Sequence, residues 1–220
     1  MQKSDAQEKC ITFLFIFGRM KKALTLFTIV LFALQLQAQD QTIIERIQAE
    51  GTAITTFEGH VLKELRKKDT LLIQNGSMHY IAPDKVAALF EDDNYMIING
   101  NRMSIDIGIF HGRFKLSRNK IMRSISHIFL YGIQGRCNDF IEESNYNMEI
   151  SNEDGFYIIQ FNTKKKHFLG LGYRCIIFKY DENDLRIREI VLIDYNNYID
   201  TFTISNQTYG ITINEDTFEQ

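Results

Sequence analysis

The side chains that could do chemistry are scattered along this chain. Five histidines, His60, His79, His111, His127 and His167, stand far apart. None forms a Glu-x-x-His or His-x-x-x-His pair, the spacings that place two ligands on one helix face to hold zinc. No Gly-x-Ser-x-Gly elbow occurs to expose a serine nucleophile. Gly170-Leu171-Gly172 lacks the third glycine and following helix that a phosphate-cradling loop needs. The acidic pairs Asp92-Asp93 and Glu142-Glu143 fall in turn or loop settings, where a solvated edge is the ordinary state. Lys164-Lys165-Lys166 reads as a solvated hairpin tip, or as a contact for anionic headgroups or an acidic partner. Cys137 and Cys175 fit either one disulfide or two buried thiols. With no catalytic constellation, metal-ligand set or cofactor loop, the expectation is a protein that is not an enzyme.

What must position any binding surface is a chain of 220 residues, 45% apolar and 24% charged, enough for one folded domain with a sizeable core. Its start reads as a leader. Residues 20–38, MKKALTLFTIVLFALQLQA, carry a basic start, an apolar centre and a small-residue cleavage site, the form of a secretory signal peptide. The true start is then Met20, with residues 1–38 removed and a single domain over 39–220 exported to the periplasm. The apolar centre is short for a span of about 20 residues. Arg19, Lys21 and Lys22 separate it from the apolar run Ile11–Phe17, which argues against an uncleaved anchor. Of 25 basic and 28 acidic residues, cleavage removes five and two, leaving a net charge of −6. That balance argues against nucleic acid as a partner. No cysteine stands at the cleavage site, so the mature chain is not lipidated.

Beyond the leader, Thr42–Gly51 has an isoleucine stripe (Ile43, Ile44, Ile47) at helical spacing. Thr56–Leu65 then alternates with Phe57, Gly59 and Val61 on one face, and Arg66–Asp69 makes a turn into a strand beginning at Thr70–Gln74. From Gly76 to Ile107 the period stays at two: Met78 and Tyr80, then Val86, Ala88 and Phe90, then Tyr95–Ile98, then Met103, Ile105 and Ile107. Pro83, which has no ladder N–H, breaks the run, and Asn99-Gly100 supplies a hairpin turn, so the stretch predicts four antiparallel strands. Gly108–Leu116 reads as a connector. Ser117–Tyr131 switches to helical spacing, with Ile121, Ile125, Ile128 and Phe129 on a stripe and Met122 at its edge. Ser117 or Asn119 is the cap, and Gly132 and Gly135 are the stop. That helix is either a lid over a sheet or a permanently packed cover. Strands follow over Tyr146–Ser151, Phe156–Asn162, Arg174–Tyr180, Leu185–Asp194, Tyr198–Asn206 and Tyr209–Ile213, joined by polar turns, as in an antiparallel meander.

One stretch also carries a family pattern: Gly76-Ser77-Met78-His79-Tyr80-Ile81-Ala82-Pro83, a short strand, an acidic turn, and Ile97-Ile98-Asn99-Gly100. It resembles the LolA-type outer-membrane lipoprotein carriers, whose pattern is a glycine, alternating apolar residues, Arg-Pro, a strand and an apolar strand into an Asp/Asn-Gly hairpin. Asp194-Tyr195-Asn196-Asn197, Thr201-Phe202, Asn206, Ile211 and Phe218 match the family's ending loosely, so the resemblance spans roughly 42–218. It implies an α+β fold in which one curved antiparallel sheet forms an incomplete, half-open β-barrel with helices covering the concave face. It also implies a monomeric periplasmic carrier that binds the acyl chains of lipoproteins. The carrier would take them from an inner-membrane ABC lipoprotein-release complex toward an outer-membrane acceptor that the sequence does not identify. The acyl cavity would be lined by Phe57, Val61, Met78, Tyr80, Val86, Phe90, Met103, Ile105, Phe202 and Ile204 from the sheet, with Ile121, Ile125 and Phe129 from the helix. For each of these the plain alternative is ordinary sheet or helix core. An interaction or lipid-sensing domain on the same scaffold, without carriage, is the other functional reading. The family arginine before the proline, thought to hold the lid, is Ala82 here. Either Arg102, Arg113 or Arg123 substitutes, or closure rests on packing.

Overall fold

Among the described residues, each run read as a strand from Thr56 to Asn206 becomes one. In the computed structural model the described residues are 41–107, 110–143, 146–163 and 172–219. The expected leader and the Lys164–Lys166 tip lie outside them. The chain opens with helix α1 (41–53), whose Ile44 and Ile47 are buried. Residues Ile44–Gln220 form one compact unit; of the preceding unit, Met1–Ile43, only 41–43 are described, as the first turn of α1.

The strands are β1 (Thr56–Lys67), β2 (Thr70–Ile81), β3 (Lys85–Phe90), β4 (Tyr95–Asn99), β5 (Arg102–Ile107) and β6 (Phe110–Lys115). After α2 (Lys120–Gln134) and α3 (Cys137–Glu143) come β7 (Tyr146–Glu153), β8 (Phe156–Thr163), β9 (Tyr173–Asp181), β10 (Ile187–Asp194) and β11 (Ile199–Tyr209). All eleven join one sheet in the order β6-β5-β4-β3-β2-β1-β11-β10-β9-β8-β7. Each neighbouring pair is antiparallel, and the sheet is a curved, unclosed barrel with β6 and β7 at its free edges. Register shifts between β11 and β1 opposite Glu58–His60, and between β9 and β10 near both ends of their ladder, add local twist, which bends the sheet.

This order has a topological consequence. The only segment between β6 and β7 is the one carrying α2 and α3, so it must travel from one edge of the sheet to the other across a face. Gly108–Leu116, expected as a connector, is instead largely the edge strand β6, paired with β5 from Arg102↔Lys115 to Ile107↔Phe110. Its mixed residues hid it, because an edge strand buries little. The strand expected over Tyr209–Ile213 is not a separate one: β11 runs on to Tyr209, with Asn206 at φ +53° in the bulge that β11 makes against β1. The residues beyond fold onto the convex face, where Phe218 is buried with Ala87 and Ile97, backed by Ile81, Leu89, Tyr95 and Ile213.

Candidate functional site

The register brings the predicted sheet residues onto one face. Phe57 lies opposite Tyr80, Tyr80 opposite Val86, Val86 opposite Ile98, and Ile98 opposite Met103. Met78, Ala88, Met96 and Ile105 form a second row, and Gly76 with Phe90 begins a third. Across the middle of the sheet Val61 faces Ile204. Lys63 faces Phe202, which continues through Ile190, Phe178 and Ile159. Phe57, Val61, Met78, Tyr80, Val86, Phe90, Met103, Ile105, Phe202 and Ile204 are all buried there. Residues the sequence had placed only in strands extend the face: Met96, Ile98, Ile159, Phe161, Ile176, Phe178, Tyr180, Ile190 and Leu192.

Helix α2 covers this face. Asn119 caps it by accepting a hydrogen bond from Met122 N, and Gly135 ends it in the left-handed region at φ +67°. Gly132, expected as part of the stop, lies inside the helix. A Cβ there would sit 3.1 Å from the Phe178 ring, so its absence lets the helix backbone lie on β9. The stripe is rotated from the expected one: Met122, Ile125, Ile128 and Phe129 are buried, whereas Ile121 is 43% exposed. Spacing alone allowed either residue, because the two are neighbours at the margin of one stripe; contact with the sheet chose Met122. Phe129 meets Phe202 edge to face with ring centroids 5.0 Å apart. Behind α2, Phe140 of α3 packs on Phe161 and Phe178 at 5.0 and 6.2 Å.

The polar groups under this cover are few and matched. Gln134 Nε2 donates to Tyr80 Oη at 3.0 Å and to the Pro83 carbonyl at 2.5 Å, tying the end of α2 to the β2–β3 turn. No member of the expected trio Arg102, Arg113 and Arg123 makes this link; the tie comes from the helix side. Gln134 escaped the sequence reading because it lies beyond the stretch taken as helix. Tyr180 Oη donates to the Gly132 carbonyl at 2.8 Å, and burial holds its pKa well above the ordinary tyrosine value. Cys137 and Cys175 are free buried thiols, so the open question of a bridge resolves to none. Burial pushes Cys137 up to about 12, which keeps it an unreactive thiol.

Lys63 is the exception on the apolar face, 3% exposed. Its Nζ lies 3.5 Å from Asp200 Oδ1 and 3.3 Å from Gln74 Oε1, and 5.9 Å from the Phe202 ring centroid. Burial raises Asp200 to about 6, with Lys63 opposing the shift. Its Oδ1 makes no hydrogen bond, so the pair is an ion pair at long range. The period-two pattern does put Lys63 in register with Val61, and that signal was available in the sequence. Among the described residues, no group of three or more His, Cys, Asp or Glu side chains could hold a metal ion.

Comparison with solved structures gives similarities at low sequence identity. A DUF1329 family protein from Desulfovibrio piger is similar at TM-score 0.47 and 12% identity, over 81% of this chain and 95% of that one. A LolA superfamily protein from Nitrosomonas europaea is similar at TM-score 0.41 and 10% identity, over 82% and 97%. LprF from Mycobacterium bovis is similar at TM-score 0.36 and 11% identity, over 80% and 95%. No family model and no curated protein matches the sequence. Among the described residues, strands β1–β5 and β8–β11 all contribute buried apolar side chains to the covered concave face.

Proposed function

We propose that this chain binds acyl chains between α2 and the concave face of its sheet, as an exported lipid or lipoprotein carrier and not as an enzyme. The observation that carries the reading is the apolar face running from Met103 on β5 to Ile159 on β8, covered by a helix whose two ends attach differently. The last turn of α2 is buried and tied through Gln134 and Gly132. Its first turn exposes Lys120, Ile121, Arg123 and Ser124. A cover so held opens from its N-terminal end. Burying a methylene contributes about 0.8 kcal/mol, so one long acyl chain supplies on the order of 10 kcal/mol. Uncovering Ile125, Ile128 and Phe129 costs roughly 2 kcal/mol each. One chain therefore offsets the opening, and closure of the helix favours release. The finer reading adds receipt of lipoproteins from an inner-membrane ABC release complex and delivery toward the outer membrane in the periplasm.

A second reading, an interaction domain that carries nothing, is favoured by the dense packing of α2, whose residues from Leu130 to Gln134 are all buried. The two part on one measurement. Native mass spectrometry of the purified protein, with uptake of a long-chain fluorescent fatty acid, shows bound lipid and exchange if acyl chains enter. Repeated absence of lipid together with no probe uptake overturns carriage and leaves the interaction domain.

A further inference from the structure

The large apolar side chains that stand exposed among the described residues are Leu71 (47%), Leu72 (51%), Ile73 (55%) and Ile121. Three of these four are consecutive in one strand, so their side chains project from both faces of it. They sit at the far end of the β1–β2 hairpin, which is laddered all the way to Lys67↔Thr70. On its other side β2 pairs with β3 only from Gly76↔Phe90 onward, and Asn75 O accepts from Glu91 N at 3.0 Å. The segment from Thr70 to Gln74 thus projects beyond β3 with no strand on its outer edge. Arg66, Lys67 and Lys68 stand at the same tip, Lys67 with its Nζ 5.7 Å from the Tyr198 ring centroid. The acidic groups there are Asp69 at the turn, Glu64 opposite Ile73 and Asp200 opposite Leu65, the last paired with Lys63. The acidic turn Glu91–Asp93 lies beside Gln74 and Asn75, about 13 Å back along the hairpin from Thr70 at roughly 3.3 Å per residue.

Consecutive apolar residues facing both ways cannot all be served by a flat protein surface on one side of the strand. They can be served by a medium that surrounds the tip. A basic collar behind an apolar tip, on a chain of net charge −3, matches the layering of an anionic bilayer, with phosphates outside and acyl chains within. We infer that the β1–β2 hairpin is a docking element for an anionic lipid membrane, inserting Leu71, Leu72 and Ile73 while Arg66, Lys67 and Lys68 meet lipid phosphates. Leu72 is also opposite Leu65, in the row next to Lys63 and Gln74, so the tip adjoins the concave face. The inference stands independently of acyl-chain binding inside that face.

The chain contains no tryptophan, which makes a local readout direct. Leu72→Trp in the full chain places a single indole at the tip, and Ile73→Trp is an independent second reporter. Added vesicles of phosphatidylcholine with phosphatidylglycerol should shift the emission to the blue and expose the indole to quenching by brominated acyl chains. Each basic residue near an anionic surface strengthens binding about fivefold, so pure phosphatidylcholine should require at least about tenfold more lipid for the same shift. Lys67→Glu with Lys68→Glu should remove that preference. An indole that stays solvent-exposed with both vesicles overturns the inference. So does a blue shift that depends on protein concentration without vesicles, which would identify the edge as a contact with a second copy. Vesicle insertion without fatty-acid uptake would support this inference while overturning the carrier reading.

Discussion

Lys63 and Asp200 show how a single position can set a pH response inside an apolar face. Asp200 ionises near 6 in the folded chain, against an ordinary value of 3.8. Between those values the folded state holds a proton that the unfolded state releases. The stabilising contribution of this group is therefore complete below about pH 4 and lost as pH rises through 6. Asp200→Asn leaves Lys63 short of its counter-charge at every pH but removes the titration. The difference in unfolding free energy between wild type and variant should then change across pH 4 to 7, favouring the variant at the higher pH by up to about 3 kcal/mol relative to the lower. Urea titrations across that window measure it, and a constant difference would show that Asp200 titrates normally. Gln134 belongs to the same scale. Gln134→Leu removes both hydrogen bonds to Tyr80 and Pro83. It should cost about 1–2 kcal/mol in urea unfolding while speeding fatty-acid uptake. A variant of unchanged stability would show that the tie is not formed in solution.

Helix α2 is held by close backbone approach as well as by side chains. A Cβ on Gly51 of α1 would lie 2.4 Å from the Gln134 carbonyl carbon, backbone against backbone with no flexible side chain to yield. Gly51→Ala should therefore separate the end of α2 from α1 and lower stability by more than 2 kcal/mol, although alanine is the better helix former by about 1 kcal/mol. A calorimetric Tm equal to or above that of the wild type would disprove the contact. The opposite end of α2 exposes its first turn, so amide exchange should be fastest from Ile121 to Ser124 and slowest from Leu130 to Gln134. Ile125→Asp sits between these zones, buried on the stripe. If α2 is a lid, that change abolishes probe binding with little change in Tm; unfolding of the domain would make the helix permanent core.

At the scale of the molecule, β1 and β11 are neighbours in the middle of the sheet, paired from Phe57↔Tyr209 to Arg66↔Ile199. The first and last strands thus join two half-sheets, β6 to β1 and β11 to β7, that hairpin connections alone would leave separate. Unfolding should be a single cooperative transition, with far-ultraviolet circular dichroism and tyrosine fluorescence coincident along a urea gradient. Two separated transitions would show that the halves fold independently and that the β1–β11 ladder is weak.

The strands from β1 to β5 were legible because burial on one side writes a period of two into the sequence, and Pro83 and Asn99-Gly100 punctuate it with backbone constraints that are local. The same holds for the helical stripe of α2, for its Asn119 cap, and for the common face of the sheet residues from Phe57 to Ile204. The rest depended on contacts between residues far apart in the chain. β6 gains its identity from β5, and Met122 replaces Ile121 because the sheet meets one margin of the stripe. Gly132 continues the helix because Phe178 lies under it, and Gln134 becomes the tie because the β2–β3 turn happens to be within its reach. Periodicity states which side of an element is apolar. Which partner that side meets, and therefore where a helix is buried and where it stays exposed, is decided only when β1 closes on β11 and the chain between the two sheet edges is drawn across the concave face.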